Sequence, residues 1–138
     1  MNTLQSQIDT WIFDLDNTLY SADSGIFQQV GELMGKYLSE CLNIEIDEAK
    51  KIQKKYYKQH GTTLRGMMDN HGVDPDDFLT EVHRLDYSIV GPNHKLNKEL
   101  KKLNGRKIIY TNANMQHALD VLEKIELSNF FDEIYDIK

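Results

Sequence analysis

The segment from Ile12 to Tyr20 limits the folds open to this chain more than any other part of the sequence. An apolar run that favours a β-strand leads directly into two carboxylates, Asp14 and Asp16, with Thr18 close behind. Acidic side chains are rarely buried without a partner, so this position favours a metal site or a reaction. In open α/β sheets, ligands bind outside the carboxyl ends of the strands. The sequence therefore predicts an active site at that edge of a sheet.

Composition and charge limit the kinds of partner that the chain can bind. The 138 residues are 40% hydrophobic and 28% charged, with a net charge of -6 from 22 acidic and 16 basic residues. This composition is typical of a soluble globular protein, and the lack of a basic surplus argues against a nucleic acid polymer as partner. A small anionic substrate is compatible with the charge if a bound cation supplies a local positive field.

Localisation is predicted from what the sequence lacks. The single cysteine, Cys41, has no internal disulfide partner and falls on the apolar face of a predicted helix, where packing is its expected role. The sequence shows neither a signal-peptide pattern nor an apolar run long enough to span a membrane. We therefore expect a cytoplasmic protein that does not bind membranes.

Helical periodicity dominates the first half of the chain after the opening strand. Apolar residues recur at spacings of three and four through residues 24–85, which predicts four successive helices. The fourth begins at Asp74 and Pro75, a cap residue followed by a proline at the first helical position. Tyr56 and Tyr57 are predicted to belong to the core of this helical block.

The pattern changes at Gly91 and Pro92 to an alternation of helix, strand, helix and strand, which is typical of parallel βαβ units. The predicted fold is therefore a Rossmann-like parallel α/β core, formed by residues 1–20 and 92–138, with an all-helical cap inserted at residues 21–91. Because the cap enters directly after the first strand, we predict that it is a lid over the site.

Asp14 and Asp16 offer the hard oxygen ligands that suit Mg²⁺. With the metal present, one carboxylate can attack a phosphoryl group and form an aspartyl phosphate, while the other protonates the leaving oxygen and then activates water. The same residues are also compatible with an acidic Asx-type turn that carries no chemistry.

A second candidate segment follows the next predicted strand, which ends at Thr111 and Asn112. The carboxyl end of this strand lies at the same sheet edge, so the hydroxyl and backbone N–H groups there could hold a phosphate. The N-terminal amides of the following helix, predicted over residues 114–126, would also favour an anion. The alternative is that Thr111 or Asn112 merely caps this helix.

The histidines lack the paired spacing of a metal site and are predicted to be surface or turn residues. They are His60, His71, His83, His94 and His117.

These segments, in this order, resemble the haloacid dehalogenase (HAD) superfamily of phosphohydrolases. The resemblance rests on the residues from Asp14 to Tyr20, on the all-helical insert, and on the apolar strand that ends at Thr111 and Asn112. The insert resembles the helical cap of subfamily I.

A finer resemblance lies within the cap. Tyr57 and the segment from His60 to Gly66 are similar to the cap of pyrimidine 5'-nucleotidase-like members. By this resemblance Arg65 is a candidate substrate-binding residue, although an arginine just after a helix start also fits a solvent-facing position.

The resemblance implies a role for each candidate residue. Asp14 would be the nucleophile and a Mg²⁺ ligand, and Asp16 the acid/base whose main-chain oxygen also binds the metal. Thr111 and Asn112 would anchor the phosphate. The implied reaction is the magnesium-dependent hydrolysis of a phosphomonoester, a nucleotide or another small phosphorylated metabolite, through an aspartyl phosphate. An acid at position 16 favours a phosphatase, since dehalogenases of the superfamily lack it.

Two elements of the family pattern are missing from the chain, a lysine beyond the third strand and a later strand whose acidic end completes the magnesium site. Lys138 comes too early to be that lysine. We therefore expect a fragment or truncated product with an incomplete HAD-like core, or else a chain that self-associates through the bare edge of its first strand. The alternative function is a catalytically inactive remnant that binds phosphate or a protein partner.

Overall fold

The computed structural model describes residues 4–138, which divide into two compact units. Unit 1 contains the described residues as far as Phe27 together with Asp86–Lys138, and unit 2 is Gln28–Leu85. The segment predicted as the cap, residues 21–91, therefore extends beyond unit 2 at both of its ends.

The elements alternate as expected for an α/β fold with a helical insert. In chain order the strands are β1 (Thr10–Phe13), β2 (Arg106–Tyr110) and β3 (Glu133–Tyr135). The helices are α1 (Ile26–Leu42), α2 (Ile46–His60), α3 (Thr63–His71), α4 (Pro75–Val82), α5 (His94–Lys101) and α6 (Met115–Lys124). Short 3-10 turns occur at Gln5–Gln7, Ala22–Ser24 and Tyr87–Ile89.

Unit 1 is built on a parallel three-stranded sheet in the order β1-β2-β3. Phe13 at the end of β1 pairs with Ile109 of β2, and Ile109 pairs in turn with Ile134 of β3. This arrangement confirms the predicted fold class, a parallel α/β sheet interrupted by helices. Because the strands are parallel, the carboxyl ends of β1 and β2 also lie side by side.

Helix α6 buries one continuous face in the core of unit 1. Ala118, Val121, Leu122 and Ile125 recur at the helical period and are each 2% exposed or less. The Asn114 side chain caps this helix by accepting a hydrogen bond from the backbone N–H of His117 at 2.9 Å. The backbone of α6 is therefore fixed both at its start and along its length.

Strand β1 is only partly covered, although its sequence Thr10–Phe13 is largely apolar. Its side chains alternate between exposed and half-buried, and Ile12 is 68% exposed. The physical reason is its position, since β1 is the first strand in the sheet order and pairs with β2 alone among the described strands.

Unit 2 consists of helices that pack through a buried apolar set. Phe78, Leu38, Met67 and Ala49 are each 0% exposed. Asp74 caps α4 with Pro75 at its start, as predicted, since Asp74 Oδ1 accepts from the N–H of Asp76 at 2.8 Å.

Two predictions for unit 2 are wrong. Tyr57 is 64% exposed rather than part of the core, and Cys41 is also exposed. Tyr57 lies at the margin of the apolar stripe of α2, and Cys41 lies in the last turn of α1, one residue before the helix ends. Spacing alone does not decide whether such positions are covered. No helix within residues 4–138 is long and apolar enough to cross a membrane.

Candidate functional site

The conformation of the loop that follows β1 is set by contacts within the loop itself. Leu15 and Leu19 are 0% and 3% exposed, and the carbonyl oxygen of Leu15 accepts hydrogen bonds from the N–H groups of Thr18 and Leu19. Asn17 has a φ of 58°, a left-handed conformation that asparagine adopts more readily than most residues. The two leucines thus anchor a tight turn that carries Asp14 and Asp16.

Asp14 is exposed and is held by donors from its own loop. One carboxylate oxygen accepts from the N–H of Leu15 at 2.9 Å, and the other accepts from the hydroxyl of Thr18 at 3.2 Å. An ionised carboxylate has about four acceptor positions. Two hydrogen bonds therefore leave Asp14 with capacity to bind a cation or to attack an electrophile.

Asp16 is more enclosed, with a side chain that is 15% exposed. Its Oδ1 accepts a hydrogen bond from the hydroxyl of Tyr20 at 2.5 Å and lies 2.7 Å from Nε2 of His117. Burial raises the pKa of Tyr20 well above its ordinary value, and the Asp16 carboxylate raises it further. The phenol therefore stays protonated and donates to Asp16.

His117 contradicts its predicted surface or turn position. It is 1% exposed, lies on the buried face of α6 and contacts Asp16 across 101 positions of sequence. Its Nδ1 lies 2.7 Å from the hydroxyl of Tyr87. Burial, followed by the charges of Asp120 and Asp16, raises the pKa of Tyr87. The sequence signal that could have found His117 is its place on the apolar face of α6, where a polar side chain needs a partner.

Thr111 directly follows β2 and is 3% exposed, whereas Asn112 is exposed. The Thr111 Oγ1 accepts from the N–H of Ala113 at 3.1 Å. Because Asn114 is the cap of α6, the alternative in which Thr111 or Asn112 caps this helix is wrong.

Two amides at the start of α6 already have partners. The N–H of Met115 donates to Asp136 at 3.0 Å, and the N–H of His117 donates to Asn114. These two N–H groups are therefore not available to the anion that was expected at this helix. Contacts to such an anion would have to come from Asn112 and the loop around it.

The sheet register brings the predicted site residues to one edge. Asp14 follows Phe13, the last residue of β1, and Thr111 follows Tyr110, the last residue of β2, which is the neighbouring parallel strand. Arg65, in contrast, belongs to unit 2. Its side chain lies on α3, is 63% exposed and forms an ion pair with Asp69 at 3.1 Å.

The oxygen atoms at this edge fit Mg²⁺ in type, and solvent or substrate would have to complete the coordination shell. The carboxylate of Asp14 and the main-chain oxygen of Asp16 are hard ligands, and Mg²⁺ in proteins usually keeps several waters beside one or two carboxylates and substrate phosphate. Across the part of the chain that is described, residues 4–138, no group of three or more His, Cys, Asp or Glu side chains is placed to hold a metal. The protein ligands available here are thus few.

Comparison with known proteins finds both sequence relatives and structural neighbours, while no protein-family model matches the chain. Phosphate metabolism protein 8 of Saccharomyces cerevisiae is 25% identical over a 136-residue alignment that covers 90% of this chain and 42% of that protein. The structure of the putative HAD-hydrolase YfnB from Bacillus subtilis bound to magnesium matches with a TM-score of 0.50 and 17% identity.

The structural match covers 93% of this chain and 64% of YfnB. The chain thus spans less than half of the yeast relative and just under two thirds of the Bacillus protein. An identity of 17% supports a statement about the fold and not about the reaction. The chain has a HAD-like α/β fold.

Proposed function

We propose that this chain belongs to a magnesium-dependent phosphomonoester hydrolase of the HAD type that acts through an aspartyl phosphate on Asp14. The observation that carries the proposal is the placement of two hydrogen-bonded carboxylates, Asp14 exposed and Asp16 largely enclosed, at the carboxyl end of β1 beside the end of β2. The HAD-like fold and a sequence relative named for phosphate metabolism support it.

The reaction divides into two steps between the aspartates. A carboxylate oxygen of Asp14 attacks phosphorus, the bond from phosphorus to the ester oxygen breaks, and that oxygen takes a proton from the Asp16 carboxyl. Asp16, now ionised, then accepts a proton from a water that attacks the aspartyl phosphate and regenerates Asp14. Mg²⁺, when bound, neutralises charge on the phosphoryl oxygens. Thr111 and Asn112 would hold the phosphate from the β2 side.

Release of phosphate from a generic aryl phosphate tests this proposal. We expect turnover that requires Mg²⁺, falls to background with excess EDTA and returns when Mg²⁺ is added in excess of the chelator, because the carboxylates alone leave the phosphate charge unbalanced. Phosphate release is measured colorimetrically, with Ca²⁺ in place of Mg²⁺ as a control for ion geometry. Turnover that EDTA does not change would contradict the assigned metal.

The substrate is proposed to be a nucleotide or another small phosphorylated metabolite, with unit 2 as the cap and Arg65 as a contact to the substrate. The ion pair with Asp69 is exposed, and such pairs contribute at most about 1 kcal/mol. Because this ion pair contributes so little, Arg65→Ala should leave the melting temperature nearly unchanged. If Arg65 contacts the substrate, the same substitution should raise KM for a nucleoside monophosphate.

Asp69→Asn is the matched control for Arg65, since it breaks the same ion pair and keeps the guanidinium group. We expect this variant to retain the wild-type KM. If Arg65→Ala and Asp69→Asn change KM equally, Arg65 acts through the ion pair and the proposed contact to substrate is wrong.

A second candidate is a remnant that binds phosphate or a protein partner without turnover. The observation that favours it is the small number of metal-ligating side chains grouped within the described residues 4–138. Mg²⁺-dependent turnover separates the two candidates, because a remnant binds inorganic phosphate and hydrolyses no ester.

Self-association through the edge of β1 is a further part of the proposal. Its basis is the exposed Ile12 on a strand that pairs with β2 alone among the described strands. A cytoplasmic location is proposed with it.

A further inference from the structure

Four side chains of unit 1 form a continuous hydrogen-bonded series. The hydroxyl of Tyr87 lies 2.7 Å from Nδ1 of His117, whose Nε2 lies 2.7 Å from Oδ1 of Asp16. The same carboxylate oxygen accepts from the hydroxyl of Tyr20 at 2.5 Å. The His117 side chain is 0% exposed, so its two ring nitrogens depend on these partners.

The protonation pattern of this series follows from its two ends. In the state in which Asp16 is ionised, its carboxylate only accepts hydrogen bonds, so Nε2 of His117 carries the proton that lies between the two side chains. Nδ1 is then an acceptor, and the hydroxyl of Tyr87 donates to it. A single tautomer of a neutral imidazole therefore satisfies every contact in the series.

The two donors to Asp16 differ in where they are anchored. Tyr20 lies four residues from Asp16 in the same loop, so its hydrogen bond is local. His117 comes from α6, whose neighbouring residues Ala118 and Val121 are fully buried. The hydrogen bond from His117 thus ties the Asp16 carboxylate to the helix that follows β2 and the Thr111 loop.

We propose that His117 is a positioning residue of this site, which fixes the Asp16 carboxylate for proton transfer, and that the hydroxyl of Tyr87 stabilises the Nε2–H tautomer by donating to Nδ1. The inference rests on the proposed function, since it gives Asp16 the acid/base role. A carboxylate that gives and then takes a proton within one cycle must keep its place relative to the leaving oxygen and the water, and small misplacements are costly.

Two substitutions separate the hydrogen bond from the packing of His117. His117→Leu keeps an apolar volume and removes the donor, and should lower kcat for an aryl phosphate by about 10- to 100-fold with KM nearly unchanged. His117→Gln retains a side-chain N–H at a similar reach and should restore most of that loss. His83→Gln in unit 2, whose ring contacts the Leu79 carbonyl, is the matched control and should behave as wild type.

Nuclear magnetic resonance of the full chain gives a readout that does not depend on turnover. Long-range ¹H–¹⁵N correlations should show the Nε2–H tautomer of His117, and Tyr87→Phe should weaken that preference while the fold is retained. An Nδ1–H tautomer in the wild type overturns the proposal even if no ester is hydrolysed.

The two proposals fail in different ways. Wild-type kcat in a folded His117→Leu variant overturns the positioning role and leaves the phosphatase assignment standing. An absence of Mg²⁺-dependent turnover, both in this chain and in a longer form that contains it, overturns the phosphatase assignment, and the acid/base role of Asp16 with it.

Discussion

Asp14→Asn is expected to lower Mg²⁺-dependent phosphate release by about a thousandfold or more, because an amide cannot form the aspartyl phosphate. The amide oxygen can still accept the hydrogen bond from the N–H of Leu15, and the site is exposed, so the turn should be retained. Steady-state kinetics with an aryl phosphate measure the loss, and circular dichroism checks the fold.

Asp9→Asn is the matched control, since Asp9 is an exposed acidic residue at the opposite end of the same strand. It removes the same charge and should retain wild-type turnover. If Asp14→Asn and Asp9→Asn have equal activity, Asp14 is not the nucleophile.

Gly66→Ala is expected to destabilise the helices of unit 2 by about 1 to 3 kcal/mol, the usual cost of overpacking. A Cβ at Gly66 would lie 2.4 Å from Cβ and 2.5 Å from Cγ of Tyr56, atoms close to the backbone of α2 that cannot swing aside. The expected result is a lower midpoint in urea unfolding followed by circular dichroism.

Gly31→Ala, in the same unit, is expected to have the opposite effect on stability. Gly31 is inside α1 and a Cβ there meets nothing within 4 Å. Alanine should stabilise this helix by about 0.5 to 1 kcal/mol, since glycine carries that penalty inside a helix. Equal shifts for the two variants would show that backbone preference, rather than the close approach of α2 and α3, sets the effect.

The fold was predictable because its signals are local and agree with one another. The apolar run before Asp14 predicts the first strand, the proline that opens α4 predicts a helix start, and the helix-strand alternation after Gly91 predicts the α/β arrangement. The exposure of Ile12 was not predictable in this way, because burial of a strand face depends on neighbours far away in sequence.

The candidate site was predictable only where its residues are close in sequence. Asp14 and Asp16 are found from one short segment, whereas the contact between Asp16 and His117 joins residues 101 positions apart. The cap of α6 shows a second limit, since Thr111, Asn112 and Asn114 can all cap a helix and lie within four positions. Their spacing does not show which of the three is the cap. In the structure the helix begins after Asn114, which is therefore the cap.

Trapping the phosphorylated intermediate tests the central claim most directly. The chain is mixed with an aryl phosphate and Mg²⁺, quenched in acid and reduced with borohydride, which converts an aspartyl phosphate to homoserine that peptide mass spectrometry can locate. We predict homoserine at position 14, with none at position 16 and none without Mg²⁺. Phosphate release with an unmodified Asp14, or with the modification at another residue, would contradict the account.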